Sequence, residues 1–586
     1  MGSRKNLPRE VNDSRRVRQD APVTQLAADA PVIYRNAKAF TADPDRPWAP
    51  AFAVHEGRFL VAGCLEEVQA AAAKAAAGAT GGTGGAAEEV DLQGNLVLPG
   101  IIDGHFHLMG MGESLQRVDL VRARSLDEIG HLVHEHAVRH LQSHWVLGKS
   151  WLFDAIPGGE PTAAMLDTVV PTRPVLLDAN DYHSTWVNSL GLEALGITDS
   201  TPDPAGGRIA RDASGRATGF LEETAAELAW AHLERVTTGD GHRQHLRSAM
   251  SALHAAGVTT VIDMGLGPTS LQTIAAAEAD GELDLRVIGH WLMSREGSTA
   301  THLAQVSEAV ELKHLHNSDR FRMTGIKFIV DGVIDGCTAH VSEPYATGAM
   351  PDPIWDYEAL SPVVAAADKA GIQIALHAIG DAAVRAALDS IENAYRENGT
   401  GPGRSGPSGS VERRHRIEHI EYCDPSDIPR FAALGVTASM QPVHADPAIQ
   451  DNWRAMLGPE RSPAGFPAAA LVASGARLVL GTDAPTAPYA PLPNLFIATT
   501  RRSAMDPTLP ANEPKNALPL QEAIRYATAN AAWSCFEEDQ MGSIAPGRHA
   551  DFLVVAPDVT ESDPDRLLDA SVLQTVVGGR TMHRQG

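Results

Sequence analysis

Short apolar runs that end in histidine or aspartate recur along this chain of 586 residues, and they restrict the folds open to it. Gln373-Ile-Ala-Leu-His377, the run ending at His419, and Leu478-Val-Leu-Gly-Thr-Asp483 each place a metal-ligating residue type at the close of strand-like sequence. Further upstream, Leu96 to Leu98 with Ile101 and Ile102 reads as one strand buried on both faces, leading into His105 and His107. Residues two apart share a face of a strand, so these two imidazoles can reach one point, a candidate metal site. Lys327 and Asp331 lie in a similar run, Thr324 to Asp331. A parallel barrel gathers the carboxyl ends of its strands on one face, which would bring all of these residues together from distant positions.

Six motifs follow one another in order: Pro99-Gly-Ile-Ile-Asp-Gly-His-Phe-His107, Lys327-Phe-Ile-Val-Asp-Gly332, His377-Ala-Ile-Gly-Asp381, Arg416-Ile-Glu-His419, Gly481-Thr-Asp483, and the segment Met541 to Val555. With them the chain resembles the metal-dependent amidohydrolase superfamily over roughly residues 31 to 580, in its YtcJ-like branch, and most nearly N-substituted formamide deformylase-like enzymes. The resemblance implies an α/β fold, a (β/α)8 TIM barrel with a small β-sandwich built from both ends of the chain. It implies that His105 and His107 bind one divalent ion, that His377 and His419 bind a second, and that Lys327 is the lysine carboxylated in two-metal members. Asp483 corresponds to the last-strand aspartate that binds metal and shuttles a proton.

For the two ions that the resemblance implies, imidazole and carboxylate ligands suit Zn²⁺ best, with Mn²⁺, Fe²⁺ or Co²⁺ also accommodated. An N-carboxylated Lys327 would bridge ions ~3.5–4 Å apart. The alternative is an unmodified Lys327 paired with Asp331 or another carboxylate, because a buried ammonium needs a partner. The expected reaction is hydrolysis of a non-peptide carbon–nitrogen bond in an N-acyl or N-formyl amide, a cyclic amide or a carbamate. A metal-bound hydroxide would attack the carbonyl while Asp483 carries the proton to the leaving nitrogen. An esterase or lactonase on the same scaffold is one alternative, and a metal-binding scaffold without catalysis is another.

Four further residues are candidates for substrate contact. His183 follows the strand-like Pro174 to Leu177 and could serve catalysis as a carbonyl donor; Trp151, with Phe153, could form an apolar wall or pack a core. Arg501 could touch substrate or lie on an exposed helix face. The branch commonly has Ser after the Asp-Gly of the lysine strand, but here Val333-Ile-Asp335-Gly-Cys-Thr338 follows, which makes Asp335 a candidate lining residue. Strict alternation would turn Glu418 away from the metals, toward Arg414 or Arg416. Asp381 reads as an early-turn carboxylate or cap of the helix that follows it.

The expected organisation is a disordered tail over 1–29, a composite β-sandwich from 30–97 and 540–586, and a barrel over 98–539 with an inserted subdomain at about 110–250. The insert, with Trp230, should overhang the active face and favour a restricted, apolar small molecule. Gly-rich loops are expected near 78–85 and 398–409. A formal charge of −25 argues against a nucleic-acid surface, and no stretch is apolar enough to span a membrane. Four scattered cysteines suit a reducing cytoplasm. The partner expected is a small amide-like molecule. The resemblance also leaves room for a homo-oligomer, since the family often dimerises or forms tetramers.

Overall fold

The computed structural model describes residues 30–78, 87–141, 143–156, 160–179, 184–204, 207–402, 412–560 and 563–586. The tail over 1–29, His183 and most of the two Gly-rich loops lie outside these residues. Eight parallel strands run in sequence order around one sheet: β1 (Ile101–Phe106), β2 (Val258–Leu266), β3 (Arg286–Leu292), β4 (Phe321–Ile329), β5 (Gln373–Ala378), β6 (Arg416–His419), β7 (Thr437–Met440) and β8 (Arg477–Leu480). Every residue of β1, β6 and β7 is buried, as expected for strands covered by helices outside and side chains within. The circuit closes just past β8, where the Asp483 amide donates to the His105 carbonyl at 2.8 Å and the His107 amide to the Ala484 carbonyl at 3.0 Å. Closure needs Gly481, because a Cβ there would fall 2.3 Å from the His105 nitrogen.

Amphipathic helices join successive strands. Thr299–Leu315, between β3 and β4, starts with a capping box in which Ser298 and Thr301 exchange hydrogen bonds. Asp381–Asn398, between β5 and β6, buries Val384, Leu388 and Ile391 and ends at Gly399, whose φ of 67° suits a left-handed C-cap. Such helices bring the carboxyl end of each strand to the same rim as its neighbours.

The run leading to His105 is two strands rather than one. Leu96–Pro99 belongs to a six-stranded sheet with Phe552–Ala556 and Ser571–Val577 from the far end of the chain, and the barrel begins only after Gly100. At Gly100 the chain passes so close to β2 that a Cβ would lie 2.2 Å from the Thr259 hydroxyl. Facing the six-stranded sheet is a four-stranded one containing Val32–Arg35 and Ala51–His55. Their shared core includes Tyr34, Phe52, Phe59 and Phe552, so both ends of the chain contribute to one β layer pair.

Between β1 and β2 the chain builds a second sheet of six strands, from Val118–Asp119 to Ala217–Glu223. This insert ends earlier than the sequence suggests. Helix Gly239–Ala255 packs Leu246, Ala249, Met250 and Leu253 into the main core and so belongs to the barrel.

Candidate metal centre

His105 and His107 leave β1 on one face, and Asp483 follows β8, its neighbour across the closure. The Nε2 atoms of His105 and His107 stand 3.3 and 3.1 Å from Asp483 Oδ1. His419, at the end of β6, joins them: among the described residues, His105, His419 and Asp483 each offer a ligand atom within 4.8 Å of the others. His377 from β5 stacks edge-on against His419 with ring centroids 4.4 Å apart. Its Nε2 lies 3.3 Å from the Gly332 carbonyl.

Two of these residues have left-handed backbone. His419 has φ of 74° and Asp483 of 61°, values costly for a non-glycine residue and concentrated at functional sites. That geometry at His419 explains the departure from alternation. Arg416 and Glu418 point together into the barrel interior, and the turn at His419 swings its imidazole inward as well.

Glu418 therefore does not face away from the site, as alternation alone would have it. Its Oε2 accepts a 2.7 Å bond from His105 Nδ1, while Arg416 Nε donates to its Oε1 at 2.8 Å. Arg416, fully buried, is anchored by the Gly104 carbonyl at 2.6 Å and by the hydroxyls of Ser439 and Ser534. A proton held on Nδ1 leaves the Nε2 lone pair of His105 facing Asp483, the carboxylate–histidine arrangement typical of metal sites. Burial would raise the Glu418 pKa, but Arg416 and His105 hold it well below the usual carboxylate range.

Burial likewise opposes the ionised form of Asp483, yet His105, His107, His419 and His444 around it keep its pKa well below the usual value. Desolvation pushes His419 and His377 far below the ordinary histidine range, the latter to about 3, so both rings are neutral and able to ligate. Asp483 Oδ1 faces only the Nε2 atoms of His105 and His107, and His419 Nδ1 is buried without a hydrogen-bond partner among the described residues. Acceptor-type atoms so placed beside neutral imidazoles fit a divalent cation.

Lys327 is buried in β4, and among the described residues no carboxylate lies within ion-pair distance of it. Desolvation pulls its pKa down to about 8, offset in part by Glu418 and Asp483. Asp331 is not its partner. That carboxylate accepts backbone amides from His340, Ile379 and Gly380 at 2.9 to 3.0 Å, tying the loops after β4 and β5 together. Asp103 does the same for the closure, taking Thr482 Oγ1 at 2.6 Å and the amides of Thr482 and His105. Asp381 opens its helix and accepts the Ser342 amide at 2.9 Å, a structural use of the kind the sequence suggests.

The strand-end pattern does not reach His444, which comes four residues after β7 in a short 3-10 turn. Its Nε2 lies 3.5 Å from Asp483 Oδ2, and its Nδ1 lies 3.4 Å from Glu421. Burial lowers the His444 pKa, but Glu421 and Asp483 outweigh it and leave it above the ordinary value. Asp335 sits at the exposed side of this group, where Asn452 holds it and where Glu421 and His444 act on its charge.

Two candidates fall elsewhere. Trp151 is fully buried in the core of the insert against Phe153, Trp186 and Phe220, its indole N–H donated to the Leu177 carbonyl at 3.0 Å, so it packs rather than walls the site. Arg501 is buried, not on an exposed helix face; its Nε donates to the Asn512 carbonyl at 2.9 Å and its guanidinium lies over Phe466. His183 lies outside the described residues.

Comparison with known proteins agrees with this geometry. The sequence profile of the Amidohydrolase family matches residues 88–583. Protein LONG AFTER FAR-RED 3 of Arabidopsis thaliana is 30% identical over 573 residues, covering 96% of this chain and 93% of its own. Putative amidohydrolase YtcJ of Bacillus subtilis is 30% identical over 511 residues, with 85% and 91% covered. N-substituted formamide deformylase of Arthrobacter pascens is 27% identical over 568 residues, with 93% and 96% covered. Among solved structures, an uncharacterized metal-dependent hydrolase from Pyrococcus furiosus superposes with a TM-score of 0.72 at 24% identity, over 91% of this chain and all of the other. An eight-stranded barrel with this rim, and a profile spanning most of its length, place the chain in the amidohydrolase family, in its YtcJ-like branch.

Proposed function

We propose that this protein is a hydrolase of non-peptide carbon–nitrogen bonds, acting on an N-acyl or N-formyl amide, a cyclic amide or a carbamate. The observation that carries the reading is the convergence of His105, His419 and Asp483 within 4.8 Å at the barrel rim, with His105 oriented by Glu418. His105, His107 and Asp483 would hold one divalent ion and His377 and His419 a second, zinc being the default for this donor set. Ions bound there would acidify water and polarise a carbonyl, the chemistry hydrolysis needs. A carbamate on Lys327 would join the two halves. It forms when the neutral amine attacks carbon dioxide and loses a proton, which a buried lysine pulled down to about 8 favours over a fully charged one.

The chain's own residues supply the rest. Asp483 takes the proton of the attacking water and returns it to the leaving nitrogen, one carboxylate serving both directions. His444, whose Nδ1 faces Glu421 and whose Nε2 faces Asp483, would donate toward the substrate oxygen once its Nε2 turns from Asp483. Asp335 lines the outer side.

The test is elemental analysis of the purified protein together with turnover of a panel of N-formyl amides, cyclic amides, carbamates and matched esters. About two equivalents of transition metal and preferential turnover of one carbon–nitrogen class are expected. A metal-loaded protein that turns over none of them, or esters alone, overturns the reading. The 27% identity to N-substituted formamide deformylase makes N-formyl amides the first class to try.

A further inference from the structure

A chamber of about 770 Å³ opens at the catalytic face of the barrel, beneath the insert. Gly110 and Pro485 form part of its wall, following His107 and Asp483 closely in the chain. A Cβ built on Gly110 would lie 3.5 Å from Pro485 and 3.9 Å from the Cβ of His107, so this wall backs onto the metal site. Across from it stand Lys149 and Asp178 from the insert's sheet, and Trp230 from helix Thr224–Val236.

The strand Val146–Trp151 carries a register irregularity between Gly148 and Trp151, and Ser150 has φ of 62°. Bulges of this kind re-aim side chains near active sites. The side chain beside this one is Lys149.

The charges around the chamber are unequally matched. Asp178 receives the Trp230 indole N–H and the Thr185 hydroxyl, each at 2.8 Å, and also the Arg117 guanidinium. Arg117 is bound by Glu113 too, at 2.7 Å, so these three ionic groups satisfy one another. Lys149 reaches the Ser114 hydroxyl, and no carboxylate among the described residues lies within ion-pair distance of it. Burial pulls its pKa below the ordinary lysine value, with Asp119 partly offsetting this. The wall also includes Thr269 and Ser270, in the first turn of helix Pro268–Ala279, and Thr237 and His242 at the start of helix Gly239–Ala255. Both helix ends add positive partial charge. The chamber is thus largely apolar with an indole in its wall, and Lys149 is a charged group of its lining that no carboxylate matches among the described residues.

We propose that this chamber seats the part of the substrate distal to the scissile bond, and that Lys149 binds a carboxylate there. Its substrates would then be amides bearing an acidic group, with a hydrocarbon or aryl linker against Trp230. The substrate class rests on the amide-hydrolase reading above; the anion site does not.

Titration calorimetry of the purified protein with 3-phenylpropionate and with the neutral 3-phenylpropan-1-ol separates the two. Wild type should bind the acid at least tenfold more tightly than the alcohol, a margin typical of a hydrogen-bonded charge. Lys149→Met should erase that preference and Lys149→Arg should keep most of it, with melting curves confirming that both are folded. Equal or absent binding of acid and alcohol by wild type overturns the proposal. So does a preference that survives Lys149→Met, which would place the carboxylate at the metals instead. In turnover, Lys149→Met should raise KM about tenfold for N-formyl-4-aminobutyrate, leaving its kcat and the kinetics of N-formylbutylamine unchanged. If neither amide is hydrolysed, the catalytic reading fails while the titration still decides the anion site.

Discussion

The two sides of the candidate metal centre are built to different degrees. On the β1 side, His105 is fixed from behind by Glu418, Glu418 by Arg416, and Arg416 by a carbonyl and two hydroxyls, all of them buried. On the β5 and β6 side, His419 Nδ1 has no hydrogen-bond partner among the described residues, and His377 has one long bond to a carbonyl and a 3.7 Å contact with Asp331. Burying a charged network is costly unless every member is paired, and the first half meets that condition. The second carries an unsatisfied buried nitrogen, a cost of about 1–3 kcal/mol that a ligated cation would remove. Under the two-ion reading, one half would be shaped before an ion arrives and the other completed by it.

The largest effect should come from the residue both halves face. Asp483→Asn keeps an oxygen ligand but removes the base, so turnover should fall about a thousandfold while metal content stays near wild type. Wild-type-like turnover would remove Asp483 from the proton path. Loss of metal along with activity would make it chiefly a ligand.

Glu418→Gln tests the support behind His105. Removing such a partner typically lowers metal affinity or activity by about 10–100-fold. Zinc competition and kcat would read the loss. If the variant matches wild type, the β1 half is not set up in advance and the contrast drawn above disappears.

Acid should release metal and unfold the protein by separate groups, and His254 allows the second to be isolated. It lies at the end of helix Gly239–Ala255, far along the chain from any ligand, buried with its Nε2 unpartnered. Desolvation lowers its pKa to about 4, with Arg320 and His583 adding to the shift. The folded state therefore binds fewer protons than the unfolded one. The stabilisation is full above the unfolded value near 6.5 and is lost as pH falls toward 4. Between pH 7 and pH 5 this is about 2 kcal/mol. His254→Leu should flatten the denaturant-measured stability over that interval by this amount and leave the pH dependence of turnover unchanged.

How much of this was legible in the sequence follows from what carries each feature. The candidate ligands at strand ends, His105, His107, His377, His419 and Asp483, can be picked out from local pattern, because an apolar run and its last residue are neighbours in the chain, and the structure brings His105, His419 and Asp483 within 4.8 Å of one another. Alternation counted from an inward His419 misplaces Glu418, because His419 turns inward through a left-handed φ that tertiary packing sets. His444 was missed because it arrives on a 3-10 turn rather than a strand end. Trp151 could be an active-site wall or a core residue on sequence alone; only the insert's own sheet, assembled from strands far apart in the chain, decides for the core. The split at Gly100 was hidden for the opposite reason, since two consecutive buried strands in different sheets look like one long one.

The finest test of the unequal halves is the order in which they give up metal. Under the two-ion reading, an ion held by His377 and His419 must keep in place one ring whose Nδ1 has no hydrogen-bond partner among the described residues and another held by a 3.3 Å bond to Gly332 and a 3.7 Å contact with Asp331. An ion held by His105 benefits from a ligand whose tautomer and direction are already fixed, so less ordering accompanies its binding. Stepwise chelation of the metal-loaded protein should show two phases, the first about tenfold more readily removed. His377→Asn should abolish the first phase and spare the second, whereas Glu418→Gln should weaken the second and bring the two together. Simultaneous release in the wild type would mean that the halves act as one unit, bridged tightly enough, through Lys327 or otherwise, that the support behind His105 is shared by both ions.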